Sequence, residues 1–209
     1  MLAGGPAERA FRGVLQALVV GPLTRRGVSP DTLTGAGLVL SAVAGGLAWA
    51  WPVAAGVTVL VGGVMDALDG SLARAAGKAT RAGAFLDSTL DRYGEFLVLA
   101  GLWLRASATD HPLAASAFAL AAVQGALMVS YARARAEGLG HPLRGGWFER
   151  PERVLLMALG LLASPWEGVL GLGRGGAALA TLAVLAAGAN ATALDRIRRG
   201  RRALRIREG

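Results

Sequence analysis

Long apolar runs recur along this chain, and its charges are crowded into the connections between them. Several runs approach the roughly 20 residues that a helix needs to cross a bilayer. Inside lipid every backbone N–H and C=O must find its partner within the protein, so such runs fold as helices. The pattern predicts an all-α integral membrane protein with six transmembrane helices, at residues 33–51, 53–76, 82–104, 112–136, 151–164 and 173–194. Of the 209 residues, 17% are charged, fewer than the roughly 25% of soluble domains. Cysteine is absent, so disulfides and thiolate metal sites are excluded.

The whole chain, 1–209, reads as one membrane domain. Residues 1–32 are expected to form a cytoplasmic leader, 33–195 the six-helix bundle and 196–209 a basic cytoplasmic tail. Within the leader, Arg9 and Arg12 stand beside Phe11, Val14, Leu15, Leu18 and Val19. That mixture suits an N-terminal amphipathic helix on the membrane surface, or equally a leader helix packed on the bundle. No cleavable signal peptide is expected. Ser29, Asp31 and Thr32 are the N-cap candidates for the first span.

Placement of the basic residues sets the orientation. Of 22 Lys and Arg, all but Arg105 and Arg174 fall in the leader, in alternate connections and in the tail. The positive-inside rule then puts both termini and the acidic motif on the cytoplasmic side of a bacterial inner membrane. Trp51, Trp103 and Trp166 fall near the opposite span ends, as an interfacial belt does. The net charge of +8 thus reads as topology and anionic lipid, with no nucleic acid as partner. The arginine run of the tail suits anionic lipid or a topological anchor. His111 and His141 lack ligand spacing, and Asn190-Ala-Thr192 is a glycosylation sequon buried in a span.

Four carboxylates interrupt this apolar pattern at the ends of spans two and three. Intramembrane acids are costly and mark function by default. Asp66 and Asp69 are three residues apart, Asp87 and Asp91 four, so each pair shares a helix face. Gly70, Ala73 and Gly83 leave room on those faces. Four crowded carboxylates repel one another unless a cation joins them. Oxygen donors select Mg2+, Mn2+ or Ca2+, and paired hard cations recur in displacements at phosphorus. Arg74, with Lys78 and Arg81 near it in sequence, suits a phosphate.

The stretch Asp66-x2-Asp69-Gly70-x2-Ala73-Arg74-x8-Gly83-x3-Asp87-x3-Asp91 resembles, without gap or substitution, the signature of the CDP-alcohol phosphatidyltransferases. The resemblance implies a six-helix membrane fold, usually a homodimer, open to the cytoplasm. It also implies a CDP-linked lipid donor such as CDP-diacylglycerol, Mg2+ or Mn2+ as cofactor, and CMP as leaving group. By position, Asp66, Asp69 and Asp87 match metal ligands. Asp91 shares the metal site and acts as general base. Asp69, Gly70, Ala73, Arg74 and Gly83 match the nucleotide-binding positions.

The motif does not name the acceptor alcohol. Arg133, Arg135, Arg150, Arg153 and Arg196 cluster at the predicted cytoplasmic ends of spans four, five and six. Guanidinium groups suit bidentate phosphate recognition, so a phosphorylated polyol is expected, inositol 1-phosphate first. The segments Ser130–Glu137 and Glu149–Arg153 resemble the bacterial phosphatidylinositol-phosphate synthase branch of the family, which often has lysine where Arg133 stands. Glycerol 3-phosphate, the acceptor of a phosphatidylglycerol-phosphate synthase, is the alternative. Each arginine taken singly also reads as a topological charge. Two further readings of the acidic cluster are a cation transporter and a catalytically silent scaffold.

Overall fold

The computed structural model describes residues 22, 29–75, 80–143 and 145–208, with side chains described except at 30, 67–75 and 206–208. The expected leader helix lies, but for Pro22, outside the described residues. Among the described residues every regular element is helical: α1 (Pro30–Leu47), α2 (Pro52–Ala75), α3 (Arg81–Ala106), α4 (Pro112–Gly138), α5 (Arg150–Leu162), a 3-10 turn at Ser164–Trp166 and α6 (Gly176–Glu208).

Helix starts follow local chemistry. Proline opens α1, α2 and α4, where its missing N–H costs nothing. Of the three cap candidates Ser29 is the one used, its Oγ accepting from the Thr32 amide at 3.1 Å. Thr80 does the same for α3, accepting from the Gly83 amide at 3.0 Å.

Helices α4 and α6 (over Gly176–Arg205) are long and apolar enough to cross a membrane. Shorter apolar helical stretches occupy Asp31–Leu47 and Pro52–Asp66. Helix α5 has 13 residues, about 20 Å at 1.5 Å per residue, which falls short of the ~30 Å hydrocarbon core. Helix α6 outruns the expected sixth span, continuing past 194 without a break to Glu208. Arginine is a good helix former, and Asp195 pairs with Arg199 at 2.7 Å one turn on.

The chain divides into two compact units. One comprises the residues up to Leu40 with Val61–Gly94; the other comprises Ser41–Leu60 with Glu95–Gly209. The second unit holds the main core, in which alanines of α1 to α4 and α6 surround Leu102, Met157, Leu161, Leu182 and Leu185. Small residues let the backbones touch. A Cβ on Gly101 would stand 2.5 Å from the Gly45 carbonyl oxygen, and one on Gly125 would stand 2.7 Å from the Asn190 amide. Asn190 donates to the carbonyls of Ala121 and Ala186, both at 2.8 Å. The sequon asparagine therefore ties α4 to α6, as polar side chains do between helices in lipid.

Arg105 and Arg174, the two cations assigned to the opposite side, both have partners. Arg105 is buried and donates to Glu167 at 3.0 Å and to the Trp49 carbonyl at 3.2 Å. Glu167 in turn accepts the Gly175 and Ala177 amides at the start of α6. Arg174 lies 5.4 Å from the Trp49 ring centroid, within cation–π range.

Candidate metal centre

The first unit carries the acids. Asp66 stands on α2, and Asp87 and Asp91 stand one turn apart on α3. All three are partly buried, and each offers a carboxylate oxygen within 4.8 Å of the others. Ser88 and Thr89, which lie between the α3 acids, turn their hydroxyls back onto the Phe85 carbonyl at 2.9 and 2.8 Å. Arg92 leans along its own helix, donating to the Ser88 carbonyl at 2.8 Å and reaching Asp91 Oδ2 at 3.4 Å.

The donor set fits a hard divalent cation. Metal–oxygen distances are about 2.1 Å for Mg2+ and up to about 2.6 Å for Ca2+. Oxygens on opposite sides of one ion therefore lie roughly 4 to 5 Å apart, and the trio's separations, all within 4.8 Å, fall inside that reach. Gly83 lies in the first turn of α3, where a Cβ would stand 3.2 Å from Thr80 Oγ1 and 3.6 Å from Asp31 Oδ1. Asp31, read from the sequence only as a possible cap, is thus turned toward the motif glycine. The side chains at Asp69, Gly70, Ala73 and Arg74 lie outside the described residues, although the backbone there belongs to α2.

The second unit carries the five acceptor candidates, and each has its own setting. Arg153 is 1% exposed. Its Nε and Nη2 donate to the two carboxylate oxygens of Glu95 at 2.5 and 2.9 Å, and Nη1 donates to the Phe148 carbonyl at 2.9 Å. Arg196 is buried and donates to the Val129 carbonyl at 2.8 Å and to Glu149 at 2.5 Å. Arg133 is exposed and paired with Glu137 at 2.9 Å. Arg135 is exposed and Arg150 is partly buried at the start of α5. Glu95, Glu149 and Glu137 thus supply carboxylates to Arg153, Arg196 and Arg133 respectively. Glu95 escaped the sequence reading, although it follows Asp91 by one helical turn and is itself an acid in an apolar run.

Known proteins resemble this chain in sequence and fold. The model of the family described as CDP-alcohol phosphatidyltransferase matches residues 28–190. Phosphatidylinositol phosphate synthase of Mycobacteroides abscessus is 37% identical over 155 residues, which cover 70% of this chain and 68% of that one. Archaetidylinositol phosphate synthase of Methanothermobacter thermautotrophicus is 34% identical over 161 residues, 75% of this chain and 80% of that one. Two crystal structures of the Mycobacterium tuberculosis phosphatidylinositol phosphate synthase, each 30% identical, superpose closely. The one with CDP-DAG bound gives a TM-score of 0.72 over 86% of this chain and 90% of that one. The one in complex with manganese and citrate gives 0.74 over 87% of each.

Proposed function

The chain belongs to the CDP-alcohol phosphatidyltransferase family, and on that premise we propose that it transfers a phosphatidyl-type group from a CDP-linked lipid to a phosphorylated polyol, inositol 1-phosphate first, with release of CMP. It is a membrane enzyme of phospholipid biosynthesis, so the transporter and scaffold readings of the acids give way. The observation that carries the proposal is the convergence of Asp66, Asp87 and Asp91 within an unbroken family motif. Six spans, the fifth a short one at α5, with cytoplasmic termini, a bacterial inner membrane and a homodimer complete the reading.

In this reading Asp66, Asp69, Asp87 and Asp91 would hold a divalent cation, Mg2+ or Mn2+, which would supply charge neutralisation at the donor pyrophosphate. Gly70, Ala73 and Gly83 leave room for the nucleotide beside Asp69, and Arg74 receives the phosphate that becomes CMP. Asp91 takes the proton from the acceptor hydroxyl as its oxygen attacks the β-phosphorus. The bond from that phosphorus to the bridging oxygen breaks, and the electron pair leaves with CMP. Such transfers depend on positioning and charge neutralisation more than on covalent help from the protein.

The acceptor assignment draws support from the relatives. The bacterial and archaeal names differ in the lipid and agree in inositol phosphate. Arg133, Arg135, Arg150 and Arg196 are proposed to meet the acceptor phosphate. Arg153, bound on two sides by Glu95, is proposed to position α5 rather than to touch substrate.

Turnover of a CDP-diacylglycerol donor with inositol 1-phosphate, glycerol 3-phosphate, inositol and serine tests the proposal directly. Inositol 1-phosphate is expected to give the highest kcat/KM; a better rate with glycerol 3-phosphate selects the alternative, and one with an uncharged polyol removes the phosphate pocket. Arg133→Ala and Arg135→Ala, both exposed and so safe for folding, should each raise the acceptor KM roughly 10- to 150-fold while sparing the donor KM. Asp66→Asn should weaken divalent-ion binding by at least about 10- to 100-fold, the loss typical when even an outer partner of a metal ligand is removed. Metal titration by calorimetry reads this directly, and an unchanged affinity would remove Asp66 from the ligand set.

A further inference from the structure

Helix α6 carries a feature that the proposed reaction does not use. Its apolar stretch Ala177–Leu194 spans roughly 27 Å at about 1.5 Å per residue, close to the ~30 Å of a hydrocarbon core. The helix then continues with Arg198, Arg201, Arg202 and Arg205 at successive spacings of three, four and seven from the first, a single basic stripe lining one cleft. None of the four is paired with a carboxylate among the described residues, whereas Arg199 on the neighbouring face has Asp195. Like charges stacked at this spacing oppose helix formation, so the stripe calls for an anion from outside the helix.

Beside the stripe runs a groove of about 450 Å³ between α4 and this extension. Met128, Leu143, Ile197 and Leu204 form its apolar walls, and Arg201 and Arg205 belong to both groove and stripe. Gly200 keeps the groove open, since a Cβ there would stand 3.2 Å from Leu143 Cδ1. An apolar trough with a cationic edge, next to a membrane-crossing stretch, matches one chemistry.

We propose that the α4–α6 groove binds an anionic glycerophospholipid of the surrounding membrane, its phosphate on Arg201 and Arg205 and an acyl chain against Met128, Leu143, Ile197 and Leu204. Arg135 and Arg196 border the same groove and are kept for the acceptor phosphate, so the lipid phosphate is assigned to Arg201 and Arg205 alone, and the soluble acceptor is the rival occupant of the apolar trough. A polyol phosphate would bring several hydroxyls to walls that are mostly hydrocarbon, where unpaired polar groups are costly. An acyl chain needs no such partners. Nucleic acid would be met by the stripe alone and has no use for the trough.

The test uses the full chain in phosphatidylcholine vesicles doped with spin-labelled phosphatidylglycerol or phosphatidylcholine, with electron paramagnetic resonance reading the motionally restricted lipid. The restricted population should prefer phosphatidylglycerol. At roughly fivefold per arginine, R201Q/R205Q should reduce the preference about 5- to 30-fold, and R201K/R205K should largely retain it. Gly200→Phe fills the groove without changing charge and should reduce the preference as well. The proposal is overturned if the preference survives R201Q/R205Q. It is also overturned if Gly200→Phe alone retains it, since that outcome leaves only diffuse surface charge. Displacement of the lipid by millimolar inositol 1-phosphate assigns the groove to the soluble acceptor, and displacement by an oligonucleotide assigns the stripe to nucleic acid; either result ends the lipid reading.

Discussion

Asp91→Asn is expected to slow the chemical step by about 10²–10⁴-fold, the usual contribution of a positioned general base. The substitution keeps the shape of the side chain and an oxygen to face the cation, but removes the proton acceptor. Donor binding in the presence of metal should therefore survive, because Asp66 and Asp87 still offer carboxylates within 4.8 Å of each other. Single-turnover kinetics with pre-bound CDP-lipid separates the two effects. If the single-turnover rate were unchanged and donor binding were lost, Asp91 would be a ligand and not the base. Arg92 lies against Asp91 at 3.4 Å, so Arg92→Gln is the control for a change in local charge alone.

Loss of the Arg153 side chain should cost about 3–5 kcal/mol of stability, the range seen when one partner of a buried ion pair is removed. The reason is Glu95. It is 7% exposed, and without the guanidinium its charge is left without compensation in an apolar bundle. The pair as a whole contributes less than this figure, because burying both charges is itself costly. Arg153→Met combined with Glu95→Leu should thus recover much of the loss in thermal unfolding, whereas Arg153→Ala alone unfolds earlier. Equal stability of Arg153→Ala and the parent would mean that water reaches Glu95 and the pair is not buried in the membrane protein.

Much of the architecture is legible from the chain alone, for a physical reason. Lipid leaves the backbone of a membrane-crossing segment little choice but helix, so apolar runs bounded by Ser29-Pro30, Pro52, Thr80 and Pro112 translate directly into α1 to α4. The basic segment after Leu194 is helical as well, because a change from apolar to basic residues marks where a helix leaves lipid, not where it stops being helical. The absence of proline after Leu194 was the local signal that the helix continues.

The acids divide in the same way. Helical spacing places Asp87 and Asp91 on one face, since 100° per residue is a property of the backbone. That Asp66 joins them depends on how α2 and α3 pack, and no local rule of spacing contains this. The arginines show the limit most clearly. Positive-inside counting treats Arg133, Arg153 and Arg196 as the same kind of charge, because it sees only their place relative to the apolar runs. Packing separates them: Arg153 is buried against Glu95, as Arg105 is against Glu167, Arg196 is held by Glu149 and a backbone carbonyl, and Arg133 stays at the surface. Ion pairs between residues 47 to 62 positions apart form only when the segments carrying them are brought together. Sequence spacing therefore identifies the helices and the motif, and tertiary packing determines which charges are left to meet a substrate.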